Sequence, residues 1–237
     1  MKLYVGTSGY SYKEWKGSFY PEDLSDKEML SFYSNRLSAV EINNTFYRLP
    51  KQEMLENWAG QVPEDFRFIL KASRKITHFK KLNECEDEAE YLFRTARALE
   101  ERLGVILMQL PPYLRKDLEL LSSFVELIPE DIRVTFEFRH HSWFDNDVYD
   151  CLQARKCALC IADTDDDKLE TPLVSTTDWG YLRLRRPDYD ADALKNWVTS
   201  IASQPWKEVY VFFKHEDEGA GPRLAGQFRE IYDARNN

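Results

Sequence analysis

Cysteine, histidine and long apolar runs are scarce in this chain, and each scarcity closes a route. Four cysteines in 237 residues (Cys85, Cys151, Cys157 and Cys160) are too few for a disulfide scaffold, and a chain this long buries a core without one. Cys157-x-x-Cys160 has the spacing of a zinc or redox pair, yet no second pair accompanies it. It also falls in an apolar run, where residues three apart face opposite sides of a strand, so reduced structural thiols are expected. The four histidines (His78, His140, His141 and His215) show no His-Glu-x-x-His or His-x-His spacing. No cofactor is expected on that ground; a divalent ion held by carboxylates leaves no spacing to read and stays open.

The longest apolar runs, Val105–Met108 and Val209–Phe213, fall far short of the roughly 20 residues that cross a bilayer. Residues 1–7 enter a strand-like pattern without a secretory h-region or cleavage site. A soluble cytoplasmic protein with no membrane partner is the expectation. Gly-x-Ser-x-Gly and Walker-type signatures are missing, and no linker or internal repeat divides residues 1–237, which read as one domain. Nothing in the sequence fixes an oligomeric state.

Lys plus Arg number 32 against 41 Asp plus Glu, a formal charge of −9. That balance argues against a generic polyanion coat or a polybasic membrane binder. The charges are unevenly placed. Acid collects in 84–90, 163–170 and 216–218, while cations collect at the ends of apolar runs and in the stretch Lys71–Lys81.

Eight short apolar runs predict strands: Leu3–Thr7, Ala39–Asn43, Arg67–Ala72, Val105–Leu110, Arg133–Phe138, Ala158–Asp163, Tyr181–Arg185 and Glu208–Lys214. Between them lie segments of helical period. Ser25-Asp-Lys-Glu28 has capping-box spacing ahead of Met29, Leu30, Phe32 and Tyr33. Glu86–Leu103 carries Leu92, Ala96, Leu99 and Leu103 on one face, with Gly104 placed as a C-cap. Further helices are marked by Leu118–Val125, by Val148 to Leu152, by Leu194 to Ile201 and by Leu224 to Tyr232. Residues 163–178 break the alternation and read as a loop in place of a helix. The fold class is therefore α/β, a TIM-type (β/α) barrel with one irregular crossover between strands six and seven.

Parallel strands buried on both faces are normally apolar throughout. Here most carry polar side chains at their C-terminal ends: Glu41 and Asn43, Lys71, Gln109, Glu137 and Arg139, Asp163, Arg183 and Arg185, and Lys214 with Glu216. In barrels of this class active sites form on that rim. Two readings stand: a binding or catalytic mouth, or a structural network in which Glu41, Glu137, Arg139 and Arg183 pair with one another. The first loop, Gly6–Gly17, offers a Gly-flanked Ser/Thr turn able to hold an anion, or simply two turn glycines. Tyr10, Tyr12, Trp15 and Trp143 either wall a pocket or cap the barrel. The basic run from Lys71 to Lys81, with Arg74 and His78, is either solvated surface or an anion site.

Several ordered motifs resemble one family. They are Gly6-Thr-Ser-Gly-Tyr-Ser-Tyr-Lys-Glu-Trp15 with Phe19-Tyr-Pro21, then Val40–Pro50, Phe68–Lys71 followed by Arg74 and Ile76-Thr-His78, Leu107 with Gln109–Pro112, and Glu137–Trp143. As a set they resemble the YecE-like family, domain of unknown function 72. The resemblance implies a TIM-type barrel and no established reaction. It carries a polar signature onto Ser8, Tyr12, Trp15, Glu41, Asn43, Thr45, Tyr47, Arg74, His78, Gln109, Glu137, Arg139, His140, Ser142, Trp143 and Asp163. The chain departs from relatives at Arg185-Arg186 and at Lys214–Gly219.

The function expected is an enzyme, hydrolase or phosphoesterase-like by analogy, acting on an anionic substrate that is phosphorylated or derived from nucleic acid. Glu41, Glu137 and Asp163 are its candidate catalytic acids and bases, and neighbouring cations should push their pKa values apart. Candidate binding residues are Ser8, Tyr10, Tyr12, Trp15, Asn43, Thr45, Tyr47, Lys71, Arg74, His78, Gln109, Arg139, His140, Ser142, Trp143, Arg183 and Lys214. The alternative is a non-catalytic barrel that binds a metabolite, a nucleic acid or a protein.

Overall fold

The computed structural model describes residues 1–48, 50–164, 169–186, 188–214 and 219–236. Residues 49, 165–168, 187, 215–218 and 237, with His215 and Glu216 among them, lie outside the described residues. Eight parallel strands close into a barrel in chain order: β1 (Lys2–Ser8), β2 (Ala39–Ile42), β3 (Arg67–Lys71), β4 (Leu103–Gln109), β5 (Val134–Glu137), β6 (Ala158–Asp163), β7 (Trp179–Leu184) and β8 (Glu208–Phe213). All eight expected strands are present, each within two residues of its expected ends.

Among the described residues seven α-helices surround them: α1 (Met29–Ser34), α2 (Gln52–Ala59), α3 (Glu86–Ala96), α4 (Leu118–Val125), α5 (Asn146–Ala154), α6 (Ala191–Ala202) and α7 (Ala220–Asn236). Asp117, Asp145 and Asp190 cap α4, α5 and α6 by accepting first-turn backbone N–H groups. Between β6 and β7 the described residues 169–178 form no helix. In its place the Thr176 hydroxyl donates to the Cys157 carbonyl and accepts from the Leu159 amide, and Trp206 lies so close over Gly180 that any side chain there would collide with it.

Three local expectations are corrected. Ser25 Oγ donates to the Glu28 carboxylate at 2.5 Å, side chain to side chain, so neither group caps a backbone amide and α1 begins at Met29. Gly104 is no C-cap but a residue of β4, where Arg67, Tyr210 and the Phe68 carbonyl crowd its Cα; the left-handed residue after α3 is Glu100, at φ +50°. Helix α2 has no capping signal and buries only Leu55, which is why periodicity does not announce it.

Side-chain alternation divides the core into two clusters. One packs strands against helices and includes Val40, Phe68, Leu70, Ile106, Phe136 and Ile161. The other fills the barrel, with Tyr4, Ala39, Ile69, Leu107, Cys160, Tyr181 and Tyr210 among its members. Cys157 and Cys160 fall in different clusters, and all four thiols are free. No described helix is long and apolar enough to cross a membrane.

Candidate functional site at the barrel mouth

The inward parity of each strand, continued to its C-terminal end, sets the polar groups. Ser8 follows Gly6, Glu41 follows Ala39, Lys71 follows Ile69, Gln109 follows Leu107, Glu137 follows Thr135 and Arg183 follows Tyr181, each two residues on. They meet inside the top of the barrel. Arg183 is 2 % exposed and bridges two carboxylates, donating Nη2 to Glu41 Oε1 at 2.7 Å and Nη1 to Glu137 Oε2. Ser8 Oγ donates to Glu41 Oε1 at 2.9 Å, the Tyr181 hydroxyl to Glu41 Oε2 at 2.7 Å, and Gln109 Nε2 to Glu137 Oε1 at 2.8 Å. Arg185 approaches Glu137 Oε1 at 3.6 Å. The Nε of Arg183 is buried with no hydrogen-bond partner.

This arrangement corrects the expected acid–base division. Burial alone would raise the Glu41 carboxyl, but the Arg183 charge, the Tyr181 hydrogen bond and Lys71 hold it below its usual value. Glu137 is buried likewise, yet Arg183, Arg185 and the Gln109 hydrogen bond bring it down to about 2. Both carboxylates stay ionised, and their pKa values move in the same direction. The network reading of Glu41, Glu137 and Arg183 therefore holds for these three, while Arg139 stands outside it.

Lys71 is the group displaced toward neutrality. Burial and the Arg183 charge lower its ammonium to about 8, against the partly opposing pull of Glu41 and Glu137. Its Nζ lies 4.4 Å from the centre of the Phe46 ring. His78 stands edge-on to the same ring, its Nδ1 2.9 Å from Thr77 Oγ1, and burial together with Lys71 and Arg139 lowers its pKa. A cavity of about 270 Å³ opens above Glu137, bordered by Pro112, Phe138, Arg139, Thr164 and Arg185. Among the described residues, four cations (Lys71, Arg139, Arg183 and Arg185) face two carboxylates, a surplus of two positive charges. A larger cavity, about 540 Å³, lies at the opposite end between Tyr4, Arg67, Arg133 and Glu208. There the cation Arg133 is already paired with Glu208 at 2.5 Å, at the end that serves stability in such barrels.

Several expected site residues lie elsewhere. Asp163 is three residues beyond the inward Cys160, so it points outward, where Arg186 Nε (2.6 Å), the Tyr189 hydroxyl (2.9 Å) and Trp197 Nε1 (3.1 Å) donate to it. It ties β6 to α6 and the turn before it, and borders an adjoining cavity of about 350 Å³ instead of the one above Glu137. Trp15 and Trp143 wall no pocket. Trp15 is buried among Tyr12, Phe19 and Tyr20, and Trp143 stacks on Phe138 while donating to the Leu114 carbonyl. Tyr12 donates to the Ser8 carbonyl and Tyr10 accepts from the Tyr20 hydroxyl through its own carbonyl, which fixes the first loop. Of that loop's amides, Thr7 donates to the Tyr33 hydroxyl and Gly9 to the Thr7 carbonyl.

Thr45 ties the β2 loop to β3 by donating to the Ile42 and Lys71 carbonyls. His140 and Ser142 cap one another's turn, and Ser142 Oγ accepts from the Lys116 amide. Two cations of the basic run are already engaged, since Lys75 and Lys80 both pair with Glu88 of α3. Asn43 is half-buried behind Glu41, Lys214 is exposed at the end of β8, and Tyr47 and Arg74 lie on the outer rim. Arg185 stands among the strand-end cations read from the sequence, whereas Tyr181 and Phe46 do not. Tyr181 shares the inward parity of Arg183, which was the available signal; Phe46 gave none. Among the described residues, no three His, Cys, Asp or Glu side chains converge as a metal cluster would.

The chain matches the family described as "Protein of unknown function DUF72" over residues 4–237. Curated relatives include the UPF0759 protein YunF of Bacillus subtilis (strain 168), 26 % identical with 98 % of this chain and 95 % of that protein covered. UPF0759 protein YecE of Escherichia coli (strain K12) is 29 % identical over 60 % of this chain; the match spans half the length of that relative. Among solved structures, a DUF72 family protein from Thermotoga maritima MSB8 superposes with a TM-score of 0.83 at 27 % identity, covering 98 % of this chain and all of that one. A DUF72 family protein from Enterococcus faecalis V583 shares the fold at a TM-score of 0.81, 18 % identity and coverage of 98 % and 95 %. The chain belongs to the DUF72 family.

Proposed function

We propose that this DUF72 protein is an enzyme acting on an anionic substrate seated over Glu137 at the barrel mouth. Arg139 and Arg185 hold the anion, and Lys71 carries the proton. The observation that supports this most is the charge imbalance: both mouth carboxylates are engaged by Arg183, and among the described residues Lys71, Arg139 and Arg185 have no carboxylate of their own beyond the 3.6 Å approach of Arg185 to Glu137. Guanidinium pairs suit phosphate and carboxylate groups. Glu41 and Glu137 act as fixed charges that orient Arg183, while an amine near pH 8 exchanges its proton at working pH. A hydrolytic or phosphoesterase-like class rests on analogy of fold alone.

Thermal shifts against inorganic phosphate and a panel of phosphorylated and carboxylated metabolites test the binding half, because a ligand that selects the folded chain raises Tm. A shift is expected that Arg139→Gln with Arg185→Gln removes. No response from any anion, or an identical response from the double variant, would overturn the reading. The full engagement of Glu41 and Glu137 favours a second reading, a barrel that binds without turnover. A ligand recovered chemically unchanged after prolonged incubation with stoichiometric protein decides for it.

A further inference from the structure

Six large apolar side chains are exposed among the described residues, and the three aromatic ones all lie on one arc of the mouth. Tyr47 (67 % exposed) follows β2, Phe79 (67 %) follows β3 and Tyr113 (63 %) follows β4, three adjacent strands. Each ring carries a cation. The Arg74 guanidinium sits between two of them, 5.6 Å from the centre of Tyr47 and 5.2 Å from that of Phe79, and Lys81 Nζ lies 5.3 Å from Tyr113.

Tyr47 packs edge-on to Phe46, the ring beneath Lys71, so the arc runs from the outer rim into the cationic mouth. An exposed aromatic on a loop is ordinary. Three on consecutive loops, alternating with cations on a chain of net charge −9, are not explained by packing, since the rings leave about two thirds of their surface to water. The local fold holds them there: Lys75 and Lys80 anchor the π-helical turn Lys75–Phe79 to Glu88, which leaves Arg74 and Lys81 on either side of it as the cations turned to the arc.

We infer that this arc is a binding track for single-stranded nucleic acid, the bases stacking on Tyr47, Phe79 and Tyr113 and the phosphates lying along Arg74 and Lys81 toward Lys71 and Arg139. Every base has a π-face, so the track is tolerant of sequence, and it needs unpaired bases. The inference rests on the proposed anion site and names its substrate class as a polynucleotide strand.

Fluorescence anisotropy of a short labelled single-stranded oligonucleotide, as DNA and as RNA, is the test, with the matching duplex and a mononucleotide alongside. Binding at low salt is expected, with the duplex weaker. Tyr47→Ala, Phe79→Ala and Tyr113→Ala should each weaken binding roughly fivefold or more, while Tyr47→Phe retains it. Arg74→Gln and Lys81→Gln should each flatten the dependence of log Kd on log salt by about 0.7, and Lys195→Gln on α6 should leave it unchanged.

No binding at low salt, preference for the duplex, or indifference to the three ring substitutions would overturn the inference. So would a dimer in sedimentation that the ring substitutions dissociate, which would make the arc an interface between copies. Loss of oligonucleotide binding with the small-anion thermal shift intact removes this inference and leaves the mouth reading standing. Oligonucleotide binding without any effect of Arg139→Gln and Arg185→Gln removes the mouth reading and the track's extension to Arg139, and leaves the three rings with Arg74 and Lys81 as the binding surface. The rings are exposed, so circular dichroism should show the variants folded.

Discussion

Glu41 and Glu137, on strands three apart in the barrel, are joined through a single guanidinium, that of Arg183 on β7. Two buried anions and one buried cation leave this cluster short of positive charge, and Lys71 and Arg185 above it supply the remainder. The cluster thus both fixes three strands and defines the electrostatic floor of the mouth.

Removing the cation should be far worse than removing the cluster. Arg183→Met leaves the two buried carboxylates with only Lys71 and Arg185 above them as counter-charge and should cost about 3–5 kcal/mol in urea denaturation. Glu41→Gln and Glu137→Gln added to Arg183→Met should recover much of that loss. A single variant within about 1 kcal/mol of wild type would show that the bridge does not hold the barrel.

Acid should weaken the fold through the same carboxylates. Their folded pKa values lie below the usual 4.5, Glu137 at about 2, so the stabilisation is complete above about pH 4.5 and drains as pH falls toward 2. Urea midpoints followed by tryptophan fluorescence across that range should fall with pH. Glu137→Gln should shallow the slope at the expense of stability at neutral pH.

Lys71 acts in the opposite range. Its folded pKa of about 8 lies below the usual 10.5, so between these values the unfolded chain binds the proton that the folded chain has released. Stability contributed by this residue therefore rises with pH from about 8 to 10.5, and Lys71→Met should remove that rise. Peptide mapping after brief acylation at pH 8 should show Lys71 modified ahead of the exposed Lys195. Equal labelling would place the Lys71 amine at its ordinary basicity.

Asp163→Ala separates structure from site. Three donors lose their carboxylate, two of them Tyr189 and Trp197, which pin β6 to α6 and the turn before it, and a loss of roughly 2–3 kcal/mol is expected. Thermal shifts with anions, corrected for the lower starting Tm, should be unchanged. An Asp163→Ala protein of normal stability that no longer responds to anions would return this residue to the site.

The barrel was legible in the chain because eight apolar runs and their spacing are local properties, read without knowing any contact. Positions 41, 71, 109, 137 and 183 were legible for the same reason: a charged or polar residue at the end of a buried strand is out of place for packing; Ser8, just past the expected end of its strand, came with the motifs of the first loop. Asp163 shows the limit. It satisfies the same rule of position, but strand alternation turns it outward, and which parity faces inward on β6 follows only from Cys160 lying among Tyr181 and Glu41. Trp15 and Trp143 were misplaced likewise, since nothing local distinguishes an indole that lines a cavity from one that fills the core.

The sequence by itself determined the strand order, the irregular crossover between β6 and β7 and the end of the barrel at which charge accumulates. Tertiary structure alone decided the partners: that Arg183 takes both carboxylates, that Glu88 takes Lys75 and Lys80, and that Lys71, Arg139 and Arg185 are left facing the mouth. Charge pairing depends on distances between residues as far apart in the chain as Glu41 and Arg183, and on burial, which sets how strongly each pair is felt. Neither quantity exists until the barrel closes.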